Sequence, residues 1–412
     1  VFELMSLPLS DRANVMPPSP IRKLAPYADA AKKQGVKVFH LNIGQPDVPS
    51  PKEYWDAVKG CELEVLEYSN SAGIAELREK AAADYCKQGI EVTAAQVLVT
   101  TAGSESLSIA LSIICNPGDE VIIPEPLYAN YIGFAAGTGI NVVPITTHIE
   151  NNFALPGSEE FAKRITDRTR AIIICNPGNP TGSTYDREQL ESLLKLARDN
   201  NLYIIADEVY REFYFDGDRP VSVLQLDGSD ENVIMVDSVS KRFSLCGARI
   251  GYFVTRNATL MDPAIRFAQA RLSSPTLEML GVIGALDTPL SYYDALRTEY
   301  TARRDVLTQR LRAMPGVTCP DIQGAFYAMV QLPIDDCDVF CKWMLEEFRH
   351  DNQTVMMAPG TGFYSTPGLG KNQVRIAYVL KIENLHLAMD CLEVALAQYP
   401  GRTISAEKVT SQ

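Results

Sequence analysis

Several stretches of this 412-residue chain place reactive or ligand-binding side chains directly after a short apolar run. Lys241 follows Val233–Val236, in Asp237-Ser-Val-Ser-Lys241-Arg-Phe-Ser244. A lysine at the end of a buried strand, flanked by small residues, is placed for a lowered pKa, and a neutral amine attacks aldehydes. Asp207 follows Leu202–Ala206, in Asp207-Glu-Val-Tyr210. A carboxylate there is costly unless it meets a cation, a metal or a protonated ring nitrogen. Asn176-Pro-Gly-Asn-Pro-Thr-Gly182 follows Ala171–Cys175 and can present the Asn179 amide from a tight turn. Thr101-Ala-Gly-Ser-Glu105 follows Val97–Thr100 and opens a helical pattern through Leu107, Leu111 and Ile114. Small residues at a helix start leave N–H groups free for a phosphate, which the helix dipole also favours. Arg375 lies inside the strand-like run Val374–Tyr378, and a buried guanidinium needs an anion that its fork can grip. Each has a plainer structural reading: a cap by Ser104, a tight loop, an ion pair, or a solvated loop lysine.

The elements that must position these groups are legible as alternating patterns. The runs Val97–Thr100, Val121–Ile123, Ala171–Cys175, Leu202–Ala206, Val233–Val236 and Ile250–Val254 are short and continuously apolar. That implies burial on both faces, as in a mostly parallel sheet. Helical patterns lie between them. In Asp186–Asn200, Leu190, Leu193, Leu194 and Ala197 share one face, and Asp186 with Gln189 forms a capping box. An α/β layered domain over residues 50–290 follows. In the last hundred residues, Phe340, Trp343, Met344 and Phe348 share a helical face, as do Leu385, Met389, Leu392 and Leu396, with a strand at Val374–Leu380 between them. That predicts a smaller α+β domain. Ligands of open parallel sheets sit at the carboxyl ends of the strands, so one crevice can gather the phosphate cradle, the amide, the carboxylate and the amine. Together with a carboxylate-binding arginine, that set meets the needs of pyridoxal phosphate: a lysine for its aldehyde, an acid for its ring nitrogen and a helix start for its phosphate.

Composition excludes other classes. With 46% apolar and 22% charged residues, the chain has the make-up of an ordinary globular protein. It carries 51 acidic against 38 basic residues, a formal charge of −13, and so has no global field for nucleic acid or an anionic membrane. The nine cysteines are scattered singly, without a CxxC pair, which points to a reducing compartment. His40, His148, His350 and His386 have no metal-ligand spacing, so no metal is expected. Residues 1–20 lack the pattern of a secretory signal, and no apolar stretch reaches the length of a membrane span. A cytoplasmic protein is expected. Pro8, Pro17, Pro18 and Pro20 suggest an extended arm over 1–20, and the polar end, 401–412, a frayed tail.

From about Ile21 to about Gln398 the sequence resembles the fold-type-I pyridoxal-phosphate aminotransferases of class I/II, the aspartate aminotransferase family. The motifs that carry the resemblance are Asn176–Gly182, Asp207–Tyr210, and Ser238-Val-Ser-Lys241 with Arg249 eight residues on. The resemblance implies a large cofactor-binding domain over 46–295 and a small domain joining 21–45 to 296–400. It implies that Lys241 carries the cofactor as a Schiff base and shuttles the substrate proton. Asp207 would pair with the ring nitrogen, and Asn179 and Tyr210 would face the ring's 3′-oxygen, lowering the pKa of the cofactor–lysine linkage. Gly103, Ser104, Glu105, Ser238 and Arg249 would surround the phosphate, with Tyr128 stacked on the ring. Tyr68 would reach the phosphate of a neighbouring subunit, which implies a homodimer with shared active sites. Arg375, Gly44 (in Asn42-Ile-Gly-Gln-Pro46) and Asn179 would bind the substrate α-carboxylate.

The implied reaction is ping-pong transfer of an amino group between an L-amino acid and a 2-oxo acid, of aspartate/2-oxoglutarate type. One bacterial subgroup reads the distal carboxylate with a lysine at the position where this chain has Glu105, and Arg271 and Arg22 are the substitute cations in view. Without a second cation, aromatic, alanine-like or other neutral amino acids are the alternative. The same framework also supports a C–S lyase. A pyridoxal-phosphate-sensing regulator would need a DNA-binding module and a basic patch, and neither is visible in the sequence.

Overall fold

The computed structural model describes residues 7–404. Strand β1 (Lys37–His40) lies outside the main sheet. The main sheet is built from β2 (Val97–Thr100), β3 (Glu120–Glu125), β4 (Asn141–Thr146), β5 (Thr169–Cys175), β6 (Tyr203–Asp207), β7 (Val233–Ser238) and β8 (Gly251–Val254). Its order is β2-β8-β7-β6-β5-β3-β4. Every pair is parallel except those made by β8, which runs against both β2 and β7. The Ile250–Val254 run, grouped above with the parallel strands, is thus the one reversed strand. This places the carboxyl ends of β2, β7, β6 and β5 along one edge, and brings the start of β8, just after Arg249, to the same edge. β4 escaped the sequence reading because it is an edge strand, broken by Pro144 and only partly buried.

The two faces of the sheet are covered separately. One face packs on helices Ala75–Lys87, Arg187–Asp199 and Thr276–Ala285. The other packs on Ala102–Ile114, Asn130–Thr138 and Ala258–Ala270. The expected capping box is present: Gln189 N donates to Asp186 Oδ1 (2.8 Å), and Asp186 N donates to Gln189 Oε1 (3.0 Å).

A further core joins Leu24, Ala28, Phe39 and Leu41 to side chains of residues 296–399. Around it stand β9 (Tyr327–Gln331), β10 (Gln353–Met356), β11 (Ala358–Pro359) and β12 (Gln373–Ala377). β12 pairs antiparallel with β9 and β11, and β1 pairs parallel with β10. The long helix Leu290–Ala313 runs straight through position 295, so no break in the chain marks that boundary.

The arm departs from an extended chain. Ser10 caps a single turn, Asp11–Val15, in the interval free of proline, and Arg12 reaches Gly137 O at 3.3 Å. Residues 1–6 lie outside the described residues. At the other end 401–404 are pinned, not frayed: Thr403 N donates to Pro333 O (3.0 Å) and Asp335 N to Gly401 O (3.0 Å). Residues 405–412 of the expected tail lie outside the described residues.

Candidate active site

Lys241 sits in the one-turn helix Val239–Arg242, directly after β7. Ser238 begins that turn, its hydroxyl accepting from Ser240 N at 3.2 Å and lying 3.0 Å from Ile250 O. Beneath it lies a buried polar cluster that the motif reading missed. Tyr85 Oη donates to Asp237 Oδ2 (2.8 Å), Ser238 N donates to Asp237 Oδ1 (2.7 Å), and Arg242 spans Asp84 (3.0 Å) and Asp237 (3.7 Å). These contacts fix the strand end from which the lysine projects. Lys241 Nζ donates to Gly44 O at 2.9 Å and lies 3.9 Å from Cys246 Sγ. Burial holds its pKa below that of an ordinary lysine, and the nearby positive charges of Arg375 and Arg249 act in the same direction.

Asp207 ends β6, one parallel strand over, and is 4% exposed. Burial raises its carboxyl to about 6, while a 2.7 Å hydrogen bond from Tyr131 Oη to Oδ2 favours the ionised form. Tyr131 was not among the expected residues. It lies three positions after Tyr128 at the start of helix Asn130–Thr138, with the two rings edge to face, 5.3 Å apart. The i,i+3 spacing was the available signal.

The loop after β5 brings in Asn179, whose Nδ2 donates to Tyr210 Oη (3.2 Å). Its Oδ1 accepts from Arg375 Nη1 (3.0 Å). Arg375 also donates to Asn42 O (2.6 Å). It is 1% exposed, and among the described residues it has no acidic partner. Its Nε is buried without any partner, and burial lowers its pKa. A desolvated guanidinium in this state is a receptor for an anion.

The helix start after β2 is Ala102, with a left-handed φ of 62°. Gly103 and Ser104 form its first turn. The plain cap by Ser104 is not what forms, since Thr101 holds the cap position. The turn lies hard against Gly251, where a Cβ would come within 2.5 Å of Ala102 C and 2.6 Å of Gly103 N. Arg249, at a φ of 55°, stands exposed beside it and donates to Cys246 O (3.0 Å). Glu105 is otherwise engaged. Its carboxylate accepts from Thr101 N (2.6 Å) and pairs with Arg271 Nε (3.0 Å). Its backbone N–H makes the first bond within the helix, to the cap residue Thr101, so the N–H groups this turn leaves open are those of Ala102, Gly103 and Ser104. Arg271 in turn donates to Ser71 O and Val99 O, and Arg22 lies exposed at the surface. Tyr68 is 81% exposed within the single chain, away from these groups' hydrogen bonds.

The geometry fits pyridoxal phosphate. A desolvated lysine, an acid one strand away, an amide and phenol pair and an uncapped helix turn share one sheet edge, and an orphaned arginine hydrogen-bonds to the amide. They make an amine-handling site with a carboxylate receptor. The class I and II aminotransferase family model matches residues 36–392, and the chain belongs to that family. The aspartate aminotransferase of Pyrococcus horikoshii is 32% identical over 395 residues, covering 94% of this chain and 97% of that protein. The aromatic-amino-acid aminotransferase 2 of Thermococcus litoralis is also 32% identical, covering 95% and 98%. The structure of the aspartate aminotransferase from Thermus thermophilus with maleate superposes with a TM-score of 0.87 at 29% identity, covering 95% of this chain and all of that one. The chain is a pyridoxal-phosphate-dependent aminotransferase. Among the described residues, no helix is long and apolar enough to cross a membrane.

Proposed function

We propose that this enzyme exchanges an amino group between an L-amino acid and a 2-oxo acid, with aspartate and 2-oxoglutarate as the leading pair, in a homodimer located in the cytoplasm. The observation that carries it is Arg375, a buried cation without an acidic partner, hydrogen-bonded to Asn179. Aspartate stands in the names of the Pyrococcus horikoshii and Thermus thermophilus relatives and supports it as the leading donor, while the Thermococcus litoralis relative is named for aromatic amino acids.

Pyridoxal phosphate, when bound, supplies an aldehyde that takes up amines and a ring that withdraws electrons from the substrate Cα. The chain's own residues do the rest. The helix turn at Gly103 and Ser104, its shape held by the Glu105 carboxylate on Thr101 N, would hold the phosphate through backbone N–H groups, with Ser238 and Arg249 beside it. Tyr128 stacks on the ring. Asp207, kept ionised by Tyr131, holds the proton on the ring nitrogen. Asn179 and Tyr210 hold the 3′-oxygen. Arg375, with Gly44 and Asn179, orients the substrate α-carboxylate. Lys241, its amine desolvated and its pKa lowered by burial, takes up the proton at the substrate Cα in one direction of the exchange and delivers a proton to Cα in the other. The small domain (21–45 with 296–400) closes over the large one and excludes water. Tyr68, exposed in one subunit, reaches the partner's phosphate.

One observation favours a second reading, in which donors are aromatic or other neutral amino acids. Arg271 is consumed by Glu105 and three carbonyls, so it is not free to grip a distal carboxylate. Initial rates with aspartate, glutamate, alanine, phenylalanine and tyrosine, each against 2-oxoglutarate, separate the two. Highest kcat/KM for aspartate or glutamate supports the first. Highest kcat/KM for phenylalanine or tyrosine, with aspartate more than tenfold lower, sinks it.

A further inference from the structure

Tyr327 belongs to none of the expected binding sets, yet it touches three of their residues. It opens β9, which pairs antiparallel with β12. Ala377 lies opposite Tyr327 and Arg375 opposite Met329, so the tyrosine and the arginine are diagonal neighbours on one face. The Arg375 guanidinium lies 4.5 Å from the Tyr327 ring centroid and 4.8 Å from that of Phe363, held between two aromatic rings. The Tyr327 phenol occupies the space beside Gly44, where a Cβ would fall 1.7 Å from its oxygen. Gly44 is the residue whose carbonyl anchors Lys241. Finally, Tyr327 Oη lies 3.0 Å from Tyr210 Oη, and among the described residues no other hydrogen-bond partner for it is present.

Counting protons shows what each direction of that last hydrogen bond would do. Arg375 can only donate, so the Asn179 atom facing it is the oxygen and the atom facing Tyr210 is the amide nitrogen. A phenol has one proton and two lone pairs. Asn179 fills one lone pair of Tyr210. If Tyr327 fills the other, the Tyr210 proton is left for a group outside the protein. Burial keeps both phenols protonated. A donor hydrogen-bonded in this way is polarised and strengthened.

We propose that Tyr327 is a positioning residue that couples the two halves of the site: its ring fixes the plane of the Arg375 fork, and its hydroxyl directs the Tyr210 proton toward the cofactor. The proposal rests on the reading that Tyr210 faces the cofactor's 3′-oxygen. Hydrogen bonding to that oxygen favours its ionised form and so lowers the pKa of the cofactor–lysine linkage, which the visible absorbance of the holoenzyme reports without turnover.

The test is a spectrophotometric pH titration of the holoenzyme, without substrate, for wild type, Tyr210→Phe, Tyr327→Phe and the double variant, with KM measured for one amino acid. Tyr210→Phe removes a hydrogen bond to a charged group and should raise the pKa by roughly 1–2 units. Tyr327→Phe should raise it by a smaller step, about 0.3–0.5 unit, and add nothing in the double variant, because it acts through Tyr210. Its KM should stay within about twofold of wild type, since the ring remains, whereas Tyr327→Leu should raise KM about 3–30-fold. An unchanged pKa in Tyr327→Phe, or additive shifts in the double variant, overturns the proposal alone. An unmoved pKa in Tyr210→Phe overturns the reading beneath it as well. Should Tyr327→Leu fail to fold, the titration of Tyr327→Phe still decides the coupling.

Discussion

At the scale of single residues, the site is a balance of burial against charge. Lys241 is desolvated toward the neutral amine, while Asp207 is desolvated toward the neutral acid and is held back by Tyr131. The carboxyl of Asp207 lies at about 6 in the folded chain against an ordinary value of 3.8. The folded state therefore binds this proton more tightly than the unfolded state. The stabilising contribution is full below the unfolded value and is lost as pH rises through about 6. The cofactor-free Asp207→Asn variant should accordingly melt higher than the wild-type apoenzyme at pH 7.5, by up to roughly 2–3 kcal/mol. The gap should close near pH 4, while cofactor affinity falls at both. Paired melting curves at the two pH values check the sign, and a wild-type apoenzyme more stable than the variant at pH 7.5 would reverse it. Replacing Lys241 by alanine should abolish both turnover and the visible band of the lysine-bound cofactor, leaving only reversibly bound cofactor that dialyses away.

At the scale of elements, what matters is which strand ends share an edge. The runs ending at Thr100, Cys175 and Asp207 could be seen in the sequence because a strand buried on both faces is continuously apolar. So could the groups after them, because turn residues and lone charges stand out against such runs. Tyr327 could not be seen. Its place beside Arg375 depends on the register of two strands some fifty residues apart, and nothing local encodes that pairing. The cluster of Tyr85, Asp84, Asp237 and Arg242 was hidden for the same reason. Edge strand β4 was hidden because its half-exposed, proline-broken sequence lacks a period. The reversal of β8 is also a pairing property, and it has a consequence at Gly251. A methyl there would push into the backbone of Ala102 and Gly103. Gly251→Ala should cost about 1–3 kcal/mol of stability through overpacking, and should weaken cofactor binding more than it changes KM for the amino acid. Equilibrium dialysis of the cofactor, beside KM, tests this. Unaltered cofactor affinity would mean that the helix turn is not the phosphate cradle.

At the scale of the whole molecule, two features of the single chain point outward. Tyr68 is exposed, and Leu63, Val65 and Leu66 beside it are exposed as well. In the proposed homodimer this is the surface on which a partner subunit would pack. If Tyr68 completes the partner's site, co-expression of Lys241→Ala with Tyr68→Ala should restore activity, because each heterodimer holds one site with an intact lysine and an intact tyrosine. Activity no greater than the sum of the separate variants would confine Tyr68 to its own subunit. The fold class and the needs of the cofactor were readable from motif and pattern, whereas the reaction type came from the family resemblance, with a lyase left open. The substrate's side chain was not: that the candidate cation Arg271 pairs with Glu105 is a contact between distant residues that nothing local encodes.

The most direct measurement is a half-reaction. The holoenzyme is mixed with one amino acid at a time, without a 2-oxo acid, while the visible band is followed and pyruvate and ammonia are assayed. An aminotransferase loses the band in proportion to enzyme, releases one 2-oxo acid per site and recovers the band on addition of 2-oxoglutarate. Aspartate or glutamate should do this most efficiently, and the same experiment with Arg375→Lys should need far more amino acid, because a point charge cannot replace a fork. Continuous release of pyruvate and ammonia from a single amino acid, with the band retained, would contradict transamination and make the enzyme a lyase.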